Sequence, residues 1–143
     1  MTRYAEHTTV PVGRSRVEIE RLLARYKATK FGVWNELARA VVQFEAQGRV
    51  IQIPVELPTV EDPKRPKDRY GSRLKGSAAE TWAAQETRRR WRVLMLTLKA
   101  MLESIESGLM SFAQAFLAHM VVPGTAKTIG DRLIPQLDAL YSG

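Results

Sequence analysis

Four arginines that stand close together are the side chains whose spacing most favours binding chemistry. They are Arg88, Arg89, Arg90 and Arg92. On a helix these positions cover about one turn and spread around much of its circumference. Guanidinium groups bind phosphates through paired N–H donors, and the nearby indoles of Trp82 and Trp91 can stack on unpaired bases. The run predicts contacts with nucleic acid; the alternative is a solvated helix face on which Glu80 and Glu86 pair with some of the arginines.

A second group of cations lies upstream of this run, in the segment 58–77. Its members are Lys64, Arg65, Lys67, Arg69, Arg73 and Lys75. The segment also contains Tyr70, several prolines and glycines, and no apolar periodicity, which predicts a flexible basic linker. A mobile basic segment can follow a phosphate backbone and become ordered on contact. A soluble spacer with no ligand is the other interpretation.

No set of residues has the spacing of a catalytic or metal centre. The two histidines, His7 and His119, are far apart and have no neighbouring ligand pattern. The segment 124–128 lacks the glycine before Lys127 that a phosphate-binding loop requires. The chain contains no cysteine, which excludes a disulfide scaffold, a thiolate metal site and a cysteine nucleophile. We therefore expect a protein that is not an enzyme and that uses no cofactor or metal.

The charge balance favours an anionic partner. The net charge is +7, and the excess lies in residues 1–29 and 58–77, each with six cations and three carboxylates, whereas residues 110–143 are neutral. Such a balance favours nucleic acid or an anionic membrane as the partner. Of these we expect nucleic acid, DNA in preference to RNA. The first residues are polar, and no apolar stretch approaches the ~20 residues of a membrane span. We expect a cytoplasmic protein with no membrane partner.

The helices that position these side chains are predicted from capping patterns and apolar periodicity. A hydroxyl followed three residues later by Glu, Gln or Asp suggests four helix starts, at Ser15, Ser77, Ser111 and Thr128. Apolar stripes then predict helices over 16–27, 78–107, about 112–120 and about 129–141. The second ends before Gly108 and would be about 45 Å long, so its first turns are expected to project or to contact another subunit. In the last helix Pro135 marks either a kink or the true start.

The strands are predicted from a period of two. Residues 40–46 and 51–57 alternate between apolar and polar, with the turn signal Gln47–Gly48 between them, which predicts a hairpin with one buried face. Pro54 suggests an edge strand or a bulge, and residues 30–34 give a third strand. The prediction is one α+β domain over 1–143. It has an N-terminal helix, a three-stranded antiparallel meander, and three C-terminal helices, one of them long, packed on one face of the sheet.

Short stretches spread over nearly the whole chain resemble a family of small bacteriophage and prophage proteins with no known activity. The stretches are Val10-Pro11-Val12, Arg14-Ser15, Glu18-Ile19-Glu20, Arg25-Tyr26, Phe31-Gly32, Gln47-Gly48-Arg49, Arg88-Arg89-Arg90-Trp91-Arg92, Lys99-Ala100, Leu102-Glu103, Glu106-Ser107-Gly108, Phe116-Leu117-Ala118, Pro135-Gln136-Leu137 and Tyr141. The resemblance implies an accessory protein acting in the cytoplasm of a bacterial host. It implies no catalytic residues.

These observations lead to one functional hypothesis and leave two others open. The first is a non-enzymatic accessory protein that binds DNA through its basic surface, without strong sequence readout. The second is a protein-interaction module, either an inhibitor of a host defence or an adaptor to a replication or recombination enzyme. The third is a homo-oligomer whose long helices pair.

Overall fold

The computed structural model describes residues 2–36 and 38–142, with only the backbone described for residues 2–12. The elements follow the predicted α+β order. They are α1 (Thr2–Arg25), β1 (Thr29–Glu36), β2 (Arg39–Ala46), β3 (Arg49–Glu56), α2 (Gly76–Glu106), α3 (Phe112–Phe116), a 3-10 turn (Leu117–His119) and α4 (Ile129–Tyr141). Within the described residues, no helix is long and apolar enough to cross a membrane.

The three strands form an antiparallel meander in the order β1-β2-β3. Gln47 and Gly48 make the turn between β2 and β3, and both have positive φ angles, 52° and 73°, as a two-residue hairpin turn requires. The β2–β3 pairing runs without a shift from Ala46–Arg49 to Arg39–Glu56. Pro54 therefore lies in a regular part of β3, which is an edge strand, and the bulge considered for it is absent from this pairing.

One face of the sheet carries the core. The inward residues of β2 and β3 are Ala40, Val42, Phe44, Ile51, Ile53 and Val55. They pack against buried side chains of α1, α2 and α3, as the alternation of the strands predicts. Phe44 is fully buried, and its ring meets that of Phe116 edge-on at a centroid distance of 5.8 Å.

The first helix is longer than predicted. It runs from Thr2, so Ser15 lies inside it and the capping box proposed there is wrong. The predicted stripe of Ile19, Leu22 and Leu23 is buried, and α1 packs along α2. The pKa of Arg25 is raised, chiefly by its hydrogen bond to Tyr26 and less by the carboxylates of Glu103 and Glu106 near the end of α2.

The long helix α2 is confirmed, but it begins differently from the prediction. Its N-cap is Lys75, which makes no side-chain capping bond, so the capping box at Ser77 is wrong. Ala79 and Ala83 are buried, and the first turns are therefore covered instead of projecting. The C-terminal end is as predicted: Gly108 has a φ of 83°, and Leu109 N–H donates to the Ser104 carbonyl at 2.9 Å, which is a Schellman motif.

The last two helices begin at the predicted capping boxes. Ser111 with Gln114, and Thr128 with Asp131, make both reciprocal hydrogen bonds, at 2.8–3.1 Å. Pro135 lies inside α4, so it does not mark the start of that helix.

The prediction that all three C-terminal helices pack on the sheet is wrong for α4. Residues 131–142 are all exposed, and α4 mainly contacts the 3-10 turn. The point of contact is Gly130, which is buried and lies so close to Ala118 that a Cβ there would be 2.7 Å from the Ala118 carbonyl oxygen. Beyond Gly130 the helix has no buried residue.

Candidate nucleic-acid interface

Glu86 engages two of the four arginines on α2. Its carboxylate accepts two hydrogen bonds from Arg89, at 2.8 and 2.6 Å, and a third from Arg90 at 3.2 Å. Arg90 also donates to the backbone carbonyl of Glu56 at 2.6 Å. The hydrogen bonds that Glu86 accepts from Arg89 and Arg90 lower its pKa from 4.5 to about 2, against the opposing effect of its burial. Arg89 and Arg90 therefore make contacts within the protein. This agrees with the alternative interpretation, in which Glu86 pairs with some of the arginines.

The other two arginines are in a different situation. Arg92 is exposed and Arg88 is half-buried, and among the described residues neither makes an ion pair. Trp91 is only 3% exposed and belongs to the core, so it cannot stack on a base. Trp82 is half-buried. The part of the run that can meet a phosphate without breaking an internal contact is thus Arg88 and Arg92.

The segment between β3 and α2 contains no helix or strand, but its backbone is hydrogen-bonded. Arg65 donates to the carbonyls of Leu74 and Asp62, and Arg73 donates to the Arg65 carbonyl at 2.8 Å. Lys67 and Arg73 form a short antiparallel bridge. Arg65 and Arg73 therefore hold the segment in shape. This gives them a role in the loop itself, in addition to the phosphate contacts predicted for them.

The tip of this segment presents an aromatic ring to solvent. Asp68 accepts hydrogen bonds from the N–H groups of Tyr70 and Ser72, at 2.8 and 3.1 Å, which makes a tight turn of the kind aspartate favours. Tyr70 is 77% exposed. The guanidinium carbon of Arg69 lies 5.0 Å from the centre of its ring, within the range of a cation–π contact. Lys64, Lys67 and Lys75 are exposed on the same segment.

The loop begins beside Arg90 and ends at the start of the same helix. The Arg90–Glu56 hydrogen bond fixes α2 to the end of β3, where the loop begins. The loop ends at Lys75, the N-cap of α2. It therefore spans the stretch of α2 from residue 76 to residue 90, about 21 Å of helix. The first turn of α2 holds no acidic residue, so the positive end of its dipole adds to the charge of the loop.

The pairing of Arg69 with Tyr70 was not predicted from the sequence. The signal was present in their adjacency and in the Asp68–Gly71 turn. The commitment of Glu86 to both Arg89 and Arg90 could be anticipated from spacings of three and four residues on a helix. The sequence did not indicate which of Glu80 and Glu86 would bind the arginines.

Of the two histidines, His119 is the one whose side chain the structure describes. It is half-buried on the 3-10 turn. Burial lowers its pKa, and a hydrogen bond with the backbone of Gln52 offsets part of that effect. Within the residues whose side chains the structure describes, no group of three His, Asp or Glu side chains is placed to hold a metal ion. The side chain of His7 lies outside the described residues.

Comparison with known proteins gives no match of any kind. No protein-family model, no curated protein and no solved structure is similar to this chain.

Proposed function

We propose that this protein binds nucleic acid, DNA in preference to RNA, through the basic loop 57–75 together with Arg88 and Arg92 of α2. The observation that carries the proposal is the exposed Tyr70 ring at the tip of a hydrogen-bonded loop, with Arg69 stacked on it and three exposed lysines on the same loop. An aromatic ring surrounded by cations is how proteins hold single strands: bases stack on the ring, and the cations follow the phosphates. Such binding has little sequence readout, because every base has a face to stack.

The arrangement predicts different roles for the aromatic ring and for the cations of this surface. Tyr70 supplies stacking, worth about 1–3 kcal/mol for one base. Arg88, Arg92 and the loop cations supply phosphate contacts, each of which steepens the dependence of log K on log salt by about 0.7 for a single strand. Arg89 and Arg90 contribute less, because both are held by Glu86, whose single negative charge offsets one of their two positive charges.

Fluorescence anisotropy of labelled single-stranded and duplex DNA and RNA, at several salt concentrations, tests the proposal. Tyr70→Ala should weaken single-strand binding roughly 5- to 150-fold, and Tyr70→Phe should retain most of the affinity. Arg88→Ala/Arg92→Ala should lower both the affinity and the salt slope. Lys127→Ala removes one exposed charge far along the chain from the loop and should change little.

Two results would count against the proposal. One is no binding by the wild-type protein at low salt. The other is binding that all the variants share with the wild-type protein, because a diffuse attraction to +7 of net charge would not depend on Tyr70.

The setting of this activity is also a proposal. The stretches that resemble bacteriophage and prophage proteins support an accessory role in the cytoplasm of a bacterial host. A non-enzymatic role agrees with binding by charge and stacking. Isolation of the protein from lysogenic or infected cells together with DNA would test both points.

A protein-interaction module is the second candidate, and one observation favours it. Most apolar side chains of α4 are exposed, and contiguous apolar surface on a folded protein marks an interaction site more often than chance. A complex with another protein that survives high salt, formed by a protein that binds no nucleic acid, would favour this candidate over the first.

A further inference from the structure

The exposed face of α4 is a continuous apolar stripe. At 100° per residue its large side chains fall within one arc of about 140° on the helix. They are Ile129, Leu133, Ile134, Leu137, Leu140 and Tyr141. The exposed fraction rises along the helix, from 49–51% at Leu133 and Leu137 to 79% at Leu140 and 85% at Tyr141. The polar side chains occupy the opposite side. This is the pattern of a helix that has an apolar face to bury, and among the residues whose side chains the structure describes none covers that face beyond Ile129.

A groove lies at the base of the same helix. It has a volume of about 770 Å³ and runs between α4, the β2–β3 turn and the segment after the 3-10 turn. Its floor and walls are largely apolar, formed by Val50, Met120, Val121, Val122, Ile129 and Leu133. The groove is therefore continuous with the stripe, and together they form one surface.

The groove and the C-terminal end of α4 carry opposite charges. The charged residues that line the groove are Arg49 and Arg132, with no carboxylate among its lining residues. The far end of α4 carries Asp138 and no basic residue in its last turn, and the unsatisfied carbonyls of a helix C-terminus add partial negative charge. The end of α4 in one copy thus matches the groove of another in both shape and charge.

The area is sufficient for a stable contact. The exposed parts of the five large side chains beyond Ile129 amount to roughly 600 Å², at about 200 Å² for each fully exposed large side chain. A standard interface buries about 800 Å² on each partner. The stripe supplies most of this area, and part of the groove can supply the rest. Residues 110–143 carry two basic and two acidic residues. Two copies can therefore meet here without bringing their basic surfaces together.

We propose that α4 is the dimerisation element of this protein and that its partner is a second copy of the same chain. The two α4 helices pack antiparallel about a two-fold axis. Leu140 and Tyr141 of each copy enter the groove of the other, near Arg49 and Arg132. An isologous contact of this kind uses the same patch twice and closes on itself, and antiparallel helices also oppose their dipoles favourably. The proposal does not depend on nucleic-acid binding.

Sedimentation equilibrium on the full chain, freed of nucleic acid and measured at high salt, tests it. High salt removes association that is bridged by nucleic acid but leaves apolar contacts intact. The wild-type protein should show twice the chain mass of 16.2 kDa. Leu137→Glu/Leu140→Glu should show the mass of a single chain at the same concentration. The matched control, Leu96→Glu/Leu109→Glu, changes two exposed leucines outside α4 and outside the 3-10 turn that anchors it, and should remain dimeric.

A second variant tests the groove separately from the helix. Arg49→Glu should raise the dimer dissociation constant at least tenfold at low salt, whereas Lys99→Glu, at another exposed position, should leave it unchanged. Circular dichroism of every variant checks that the fold is kept, which is expected because the changed side chains are exposed. The proposal is overturned if the wild-type chain is monomeric throughout. It is overturned equally if the α4 variant dimerises, if Arg49→Glu has no effect, or if a different protein occupies the stripe of a monomeric chain.

Discussion

Glu86 determines how much of the arginine run is available to a ligand. Its side chain is only 16% exposed, and it holds Arg89 at 2.6 Å and Arg90 at 3.2 Å. The same hydrogen bonds raise the pKa of Arg89 and lower that of Glu86 to about 2. A carboxylate that is held in its charged form by two guanidinium groups contributes to the stability of the fold only while it is ionised.

The pH dependence of stability should therefore include a contribution from Glu86. Because its folded pKa lies below the ordinary 4.5, that contribution is fully present above 4.5 and is lost as the pH falls towards about 2. Urea denaturation of wild type and Glu86→Gln over this range measures it. The two proteins should differ most at neutral pH and converge in acid. If the difference in unfolding free energy between the two proteins stayed constant with pH, the substitution would act through packing and not through the charge of Glu86.

Two glycines in helices show how the same substitution can act in opposite directions. At Gly130 in α4 an added Cβ meets the Ala118 carbonyl at 2.7 Å, whereas at Gly13 in α1 it meets nothing within 4 Å. Alanine is favoured over glycine in a helix interior by about 1 kcal/mol. At Gly130 this gain is opposed by an overlap with backbone, which cannot move aside as a flexible side chain does.

We expect Gly130→Ala to destabilise the protein by about 1–3 kcal/mol, the usual range for overpacking. Gly13→Ala should stabilise it by up to about 1 kcal/mol. Thermal unfolding followed by circular dichroism measures both, and the second variant is the control for helix propensity. If Gly130→Ala were as stable as wild type, the close approach of α4 to the 3-10 turn would not be what anchors this helix.

At the scale of the whole molecule, charge and apolar surface are segregated. Most of the basic residues belong to α1, the loop and the first half of α2, whereas the exposed apolar stripe lies in the neutral last quarter. Dimerisation through α4 would thus leave the basic surfaces of both copies open. Two linked binding surfaces on one strand raise the effective concentration of the second once the first is bound.

The affinity for long single strands should therefore depend on α4, although α4 touches no nucleic acid. We expect Leu137→Glu/Leu140→Glu to bind a long oligonucleotide about 100-fold more weakly than wild type. Binding to an oligonucleotide that fits only one copy should be unchanged. Anisotropy titrations over a series of oligonucleotide lengths measure this, with Leu109→Glu, at an exposed position outside α4 and the 3-10 turn, as the control. Equal loss at every length would instead mean that α4 lies in the binding surface.

Much of this fold could be predicted from local pattern. The period of two across 40–46 and 51–57, with Gln47–Gly48 between, predicts the hairpin and its buried face. The Ser111 and Thr128 capping boxes and Gly108 mark helix ends that the structure has. These features depend on backbone geometry and on neighbours within a few residues, so the sequence by itself determines them. The α+β class and the order of elements follow from them.

Other features were decided only by the tertiary structure. Helix α1 passes through Ser15, where the local capping pattern predicts its start. Glu86 binds two arginines, and Arg65 and Arg73 are used to hold the loop. The stripe of α4 has the same pattern as the stripe of a buried helix, yet it is exposed. Amphipathic spacing shows that a face can be buried, but whether it is buried, and by what, depends on residues distant in the chain.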